Sequence, residues 1–180
     1  MNLELFNELW AEGRPSQHSG EWREFLVFCE SYLKEYNIRK PIIVELGLFA
    51  NTQKKFYERF FRAEHIGIDR KARRCAPDIR GNTHSLETLG ALKEKLRGRP
   101  VNILYIDASH TYESVKKDFE MYSPLCNGII AIHDINLGRG KTIETRQVWR
   151  FWDELKIKEC ENFSFFSIEM EMGTGVMVRK

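Results

Sequence analysis

Four short apolar runs each end, at or near their last residue, in a carboxylate: Ile42-Ile43-Val44-Glu45, Ile66-Gly67-Ile68-Asp69, Val101 through Asp107, and Gly128 through Asp134. Each run is nearly continuous and rich in β-branched residues, the pattern of a strand buried on both faces. Between the runs the apolar period changes to that of helices. Leu3, Leu5, Phe6, Leu9 and Trp10 share one face of a helix ending near Gly13. After a loop from Arg14 to Gly20, a second helix from about Glu21 to Asn37 carries Trp22, Phe25, Leu26, Cys29, Leu33 and Tyr36 as its stripe. Further helices are expected near Thr52 to Arg62, Ser85 to Leu96, Tyr112 to Leu125 and Glu144 to Leu155, with a short strand near Asp78 to Gly81. Two closing strands, Asn162 to Met170 and Gly175 to Arg179, flank a tight turn at Met172-Gly173-Thr174. Strands alternating with helices, followed by a hairpin, define an α/β doubly wound sheet, mostly parallel with one antiparallel edge strand.

In such sheets ligands bind outside the carboxyl ends of the parallel strands. Four acids there crowd one rim with negative charge, which a bound cation, ribose hydroxyls or a cationic cofactor would explain. The pattern points to an enzyme. Length and composition fit one domain: 180 residues, 42% hydrophobic, can bury a single core, with residues 1–40 a helical segment ahead of a core at 41–180. A formal charge of +2 gives no argument for nucleic acid. Cys29, Cys75, Cys126 and Cys160 are scattered without a Cys-x-x-Cys pair, which argues against a zinc site or disulfide framework and for a reducing cytoplasm. The acidic, amphipathic N-terminal stretch is unlike a signal peptide, and no apolar run approaches a membrane span.

The loops carry the chemistry. Val44-Glu45-Leu46-Gly47-Leu48-Phe49-Ala50-Asn51-Thr52 reads as a strand turning sharply into a helix, where Gly47 lets a ligand approach the backbone and the helix start offers free N–H groups. Asp69 follows at about the twenty-residue spacing at which an acid can receive the ribose hydroxyls of a nucleoside cofactor. The most specific stretch is Asp107-Ala108-Ser109-His110-Thr111-Tyr112, followed by a helix with Val115 and Asp118 and a strand ending Ile132-His133-Asp134-Ile135-Asn136.

These motifs resemble the class I S-adenosylmethionine-dependent methyltransferases, and more narrowly the small-molecule O-methyltransferase branch with macrolide-sugar and cephalosporin-pathway members. The resemblance spans roughly residues 40 to 180 and implies a Rossmann-like seven-stranded α/β/α sandwich. By position, Glu45, Gly47 and Asn51 match the first cofactor motif, and Asp69 matches the ribose-binding acid. Asn82, Thr83 and His84 lie where relatives contact the adenine end, and Asp107 borders the cofactor as well. Asp107 and Asp134 match carboxylates that hold a divalent metal, and His133 stands where some relatives supply a further acidic ligand. His110 matches the proposed general base. The implied cofactors are S-adenosylmethionine and Mg2+ or Mn2+.

Two departures are visible. The first motif has Ala50-Asn51 where a second glycine is usual, although asparagine tolerates left-handed backbone angles. Ile135 follows the second metal aspartate where catechol-type relatives have asparagine. A histidine ligand at position 133 would favour a softer ion than magnesium.

The chemistry of a hydroxyl acceptor fits these residues. A metal-bound hydroxyl ionises more readily, and an imidazole, which titrates near neutrality, can take its proton. The expected partner is a small-molecule acceptor. Nucleic acid is disfavoured, because no Asn-Pro-Pro-Tyr-type acceptor motif is present. The alternative is a degenerate, non-catalytic binding module. His65 reads as structural, Arg70-Lys71-Ala72-Arg73-Arg74 as a solvated face, Trp149-Phe151-Trp152 as core or dimer contact, and His18 as a candidate lid residue. With specificity loops limited to residues 1–40 and Gly138 to Thr142, the site should be open, with room for completion by a second subunit in a homo-oligomer.

Overall fold

The computed structural model describes residues 1–71, 76–139, 143 and 146–180. Two N-terminal helices, α1 (Leu3–Glu12) and α2 (Ser19–Glu35), precede β1 (Ile42–Leu46), α3 (Lys54–Phe61), β2 (Glu64–Asp69) and β3 (Ile79–Arg80). Then come α4 (Leu86–Leu96), β4 (Val101–Ile106), α5 (Tyr112–Tyr122), a 3-10 turn (Ser123–Leu125) and β5 (Cys126–His133). The chain ends with α6 (Val148–Lys158), β6 (Phe163–Ile168) and β7 (Thr174–Arg179).

The seven strands form one sheet in the order β3-β2-β1-β4-β5-β7-β6. β1 to β5 are parallel, and β7 pairs antiparallel with both β5 and β6. The order reverses between β1 and β4, so the carboxyl ends of those strands flank the switch point at which this architecture binds ligands. Residue alternation along each strand divides the core. Ile43, Ile103, Tyr105, Ile129 and Val176 pack against α1, α2 and α3, whereas Val44, Leu104, Ile130 and Met177 pack against α4, α5 and α6. This is the α/β/α sandwich expected from sequence.

Helix starts follow local chemistry. Asn2 Oδ1 accepts from Leu5 N (3.1 Å), Ser85 Oγ from Glu87 N (3.2 Å) and Thr111 Oγ1 from Ser114 N (3.3 Å). Ser85→Ala should therefore cost about 1 kcal/mol of stability, read as a shift of the urea midpoint without change of slope. α6 begins at Val148 rather than at Glu144. Residues 144–145 lie outside the described set, and Arg146 and Gln147 are not helical. Phe151 and Trp152 are core residues, while half-buried Trp149 carries the Arg139 guanidinium 5.6 Å from its ring centre. Much of the basic run (Ala72, Arg73, Arg74) and part of the Gly138–Thr142 loop fall outside the described residues, as does Cys75. No described helix is long and apolar enough to cross a membrane.

Candidate active site

A cavity of about 530 Å³ opens at the carboxyl ends of β1, β2, β4 and β5. Its volume lies in the range of small-molecule and cofactor sites. Gly47, Asp69, Asn82, Thr83, His84, Asp107, His110, His133 and Asp134 all line it.

At one end, the β1–α3 turn and Asp69 form a cradle. Gly47 has φ 85°, and a Cβ there would fall 2.2 Å from the carbonyl oxygen of Asp107, so only glycine fits. Asp69 Oδ2 accepts from Leu48 N (2.9 Å) and Oδ1 from Lys71 N (2.7 Å). These bonds fix the carboxylate while leaving each oxygen a further lone pair. In the turn that lacks a second glycine, Phe49 (φ 48°) and Asn51 (φ 54°) both take left-handed angles. Each such non-glycine residue costs of order 1–3 kcal/mol, and such strain collects at ligand clamps. Past β3, the Thr83 carbonyl accepts from Tyr122 Oη (2.9 Å), and His84 Nε2 lies 3.2 Å from the Ser114 carbonyl oxygen and 3.3 Å from Asp118 Oδ1.

Two residues expected in the cofactor motif are placed elsewhere. Glu45 lies within β1 rather than beyond its end, so its side chain enters the α1–α3 layer. There Oε2 sits 2.9 Å from His65 Nε2, both side chains fully buried. Burial raises the Glu45 carboxyl above its ordinary range despite the neighbouring imidazole. Neither Glu45 nor Asn51 lines the cavity. Asn51 instead closes the turn, its N–H donating to the Leu48 carbonyl. His18, the candidate lid residue, caps α2, its Nδ1 accepting from Gly20 N (3.3 Å).

At the other end the acids and histidines meet. Thr111 caps α5, which leaves the preceding His110 imidazole free of that duty. His110 is held from both sides: its carbonyl accepts from Gln147 N (2.8 Å), and its Nδ1 pairs closely with Asp134 Oδ2. That hydrogen bond raises the His110 imidazole above its ordinary value of 6.5, outweighing partial burial. Asp134 is itself in a left-handed conformation (φ 66°) at the end of β5, 3% exposed. Its Oδ1 has no hydrogen-bond partner. Asp107, His110 and Asp134 offer ligand atoms all within 4.8 Å of one another. His133 is buried beside them, with Nδ1 3.3 Å from Asp107 Oδ1 and 3.3 Å from Asp134 Oδ1. Burial alone would lower its pKa, but the surrounding Asp107, Glu21 and Asp134 carboxylates hold it well above the ordinary value.

Sequence reasoning missed the residues that brace this end from the N-terminal segment. Gln17 Nε2 donates to Asp107 Oδ2 (2.9 Å), and Gln53 Nε2 donates to Gln17 Oε1 (3.3 Å). Glu21, 0% exposed, accepts from the Thr174 hydroxyl and lies 3.4 Å from His133 Nε2. One signal was available: Glu21, Phe25 and Cys29 follow one another at four-residue spacing, so the acid sits on the apolar stripe of α2.

The comparisons with known proteins agree with this fold. A sequence model described as a methyltransferase domain matches residues 45–135, half of the chain, and the protein belongs to that family. Solved structures extend the likeness over nearly the whole chain. The MycE methyltransferase of the mycinamycin biosynthetic pathway, in complex with Mg and SAH, is 15% identical with a TM-score of 0.66, over 97% of this chain and 54% of its own. The chain thus spans about half the length of that enzyme. The O-methyltransferase TomG from Streptomyces achromogenes, in complex with SAM, is 13% identical (TM-score 0.64; 99% of this chain, 89% of its own). A caffeoyl-CoA O-methyltransferase candidate from Staphylococcus aureus is 15% identical (TM-score 0.64; 100% and 93%). At such identities the structures establish a shared fold. No curated protein matches the chain.

Proposed function

We propose that this methyltransferase-domain protein transfers a methyl group from S-adenosylmethionine to the hydroxyl of a small molecule, with a divalent metal at Asp107 and Asp134. The observation that carries the reading is the meeting, at one cavity, of an Asp69–Gly47 cradle and an Asp107–His110–Asp134 cluster. The residues fit both groups. The Gly47 position excludes a side chain, Asp69 is pre-oriented for two ribose hydroxyls, and Asn82, Thr83 and His84 border the same cavity. For the metal, the buried Asp134 Oδ1 accepts no hydrogen bond, Asp107, His110 and Asp134 offer ligand atoms within 4.8 Å of one another, and the carboxylate oxygens suit a hard or borderline cation.

Displacement at a sulfonium methyl asks the protein mainly to position donor and acceptor and to manage one proton. When bound, the metal would supply Lewis acidity that favours the alkoxide form of the acceptor. Neutral His110 takes the acceptor's proton at its outer ring nitrogen, Nε2, while Nδ1 stays on Asp134. The Asp134 carboxylate fixes the ring orientation and stabilises the imidazolium that results, as an acid does behind a catalytic histidine. The negative rim of Asp69, Asp107 and Asp134 favours a positively charged donor.

In this reading residues 1–180 act as one unit, because Gln17 and Glu21 of the N-terminal segment reach Asp107 and His133. A cytosolic setting is part of the same proposal, supported by the free thiols of Cys29, Cys126 and Cys160.

Calorimetric titration with S-adenosylmethionine, with and without Mg2+ or Mn2+, tests the reading. Micromolar binding is expected, and no heat under any condition would instead favour a non-catalytic module. The His110 pair gives a pH expectation. Its folded pKa is raised, so the pair stabilises the metal-free protein fully below pH 6.5, and that contribution fades as pH rises through the raised value. An NMR titration of His110 should show a midpoint above 6.5, and Asp134→Asn should bring it down.

A further inference from the structure

We infer that Gln17, on the loop between α1 and α2, is the positioning residue of Asp107, and that it is the last member of an amide relay running from Gln53 through Gln17 to that carboxylate. The inference rests on the metal-assisted reading above and adds to it the side chains that aim one of its carboxylates.

The relay has one polarity, and chemistry fixes it. An ionised carboxylate can only accept, so the Gln17 NH2 group faces Asp107, with Nε2 2.9 Å from Oδ2. Gln17 Oε1 is therefore turned away and accepts from Gln53 Nε2 (3.3 Å), while Gln53 Oε1 accepts from the Thr52 hydroxyl (3.4 Å). Both glutamines are 3% exposed. A buried amide that lost its partner would be left unsatisfied, so each bond in the series holds the next in place. On its other oxygen, Oδ1, Asp107 meets His133 Nδ1 at 3.3 Å. Held at both oxygens, the carboxylate has one orientation, and each oxygen keeps a further lone pair for a cation shared with His110 and Asp134.

The relay is rigidly mounted at both ends. Buried Pro15, just before Ser16 and Gln17, fixes its own φ, and His18, the next residue, caps α2 through Gly20 N. Gln53 stands at the start of α3, on the turn that carries Gly47, and it lines the cavity as Ser16 does. Gln17 lies behind that wall, so it acts through Asp107 rather than on a ligand. Partners that orient a metal ligand from behind change metal affinity about 10–100-fold when they are replaced. Through this bridge the N-terminal segment and the cofactor turn both bear on one carboxylate, which no contact along β4 itself would provide.

The test is metal affinity of the full chain, read without turnover. Mn2+, a paramagnetic divalent probe, is titrated into wild type, Gln17→Met, Gln53→Met and the double variant. Free Mn2+ is followed by electron paramagnetic resonance, and folding by urea denaturation. Methionine keeps the length of the side chain and removes its amide. Gln17→Met should weaken Mn2+ binding about 10–100-fold. Its S-adenosylhomocysteine affinity without metal should stay at the wild-type value, because the Asp69 bonds to Leu48 and Lys71 do not pass through Gln17. Gln53→Met should weaken Mn2+ binding less, and the double variant should match Gln17→Met, since Gln53 reaches the metal only through Gln17. Should Gln17→Met fail to fold, Gln53→Met decides: weaker Mn2+ binding supports the relay, and wild-type affinity overturns it. In folded Gln17→Met, Mn2+ affinity equal to wild type, or a parallel loss of S-adenosylhomocysteine binding, would overturn the inference and leave the metal site standing. So would a double variant weaker than Gln17→Met by the full Gln53→Met factor. Absence of Mn2+ binding in wild type would overturn the metal reading itself, and the positioning role with it.

Discussion

Replacing His110 by alanine is expected to lower kcat about 10²–10⁴-fold, the range removed with a general base, while the affinity for S-adenosylhomocysteine stays close to wild type. The separation follows from the geometry. His110 sits at the Asp134 end of the cavity, braced by Gln147 and Asp134, whereas Asp69 and the Gly47 turn, the proposed cofactor cradle, lie at the other end. Losing the imidazole removes the proton acceptor and leaves the cradle's bonds intact. Single-turnover rates and a calorimetric titration on the same protein measure the two quantities. Equal losses in both would mean that His110 shapes the pocket rather than takes the proton.

The second large effect is expected at Gly47. Gly47→Ala places a methyl group 2.2 Å from the Asp107 carbonyl oxygen and 2.5 Å from Ala108 Cα, at a φ of 85° that disfavours any L side chain. Both atoms are backbone, so no side-chain rotation relieves the clash. The β1–α3 turn and the loop carrying Asp107 and His110 must move apart. Overpacking of about 1–3 kcal/mol and backbone strain of similar size together predict a stability loss on the order of 3 kcal/mol. Because the displaced loop carries Asp107 and His110 of the proposed metal cluster, metal affinity should fall along with cofactor affinity. Urea denaturation measures the first effect, and a midpoint within experimental error of wild type would show that the turn has room it is not seen to have.

The two variants also show what a reader of the sequence alone can and cannot reach. The strands were legible because a parallel strand covered on both faces must be apolar nearly throughout. Its terminal carboxylates stand out for the same reason. Asp69, Asp107 and Asp134 lie at or just past their strand ends, and all three reach the cavity. Glu45 breaks the rule by one residue. Leu46 still belongs to β1, so the acid points into the α1–α3 layer and pairs with His65 of β2. Spacing along one strand does not reveal that partner, which the parallel register of β1 and β2 supplies. Gln17 and Glu21 were illegible for a related reason. Their targets lie 90 or more positions away in the chain, at Asp107, His133 and Thr174, and the acid on the apolar stripe of α2 marks a buried charge without saying which residues it meets. The absence of the second glycine was legible, and the turn keeps left-handed angles without it, at Phe49 and Asn51.

The most direct measurement is a crystal structure of the protein with S-adenosylhomocysteine and Mn2+. The account predicts the ribose hydroxyls on Asp69, the adenine against Asn82, Thr83 and His84, and the metal between Asp107 and Asp134. A cavity left empty at saturating ligand, or a ligand bound away from Asp69, would contradict it.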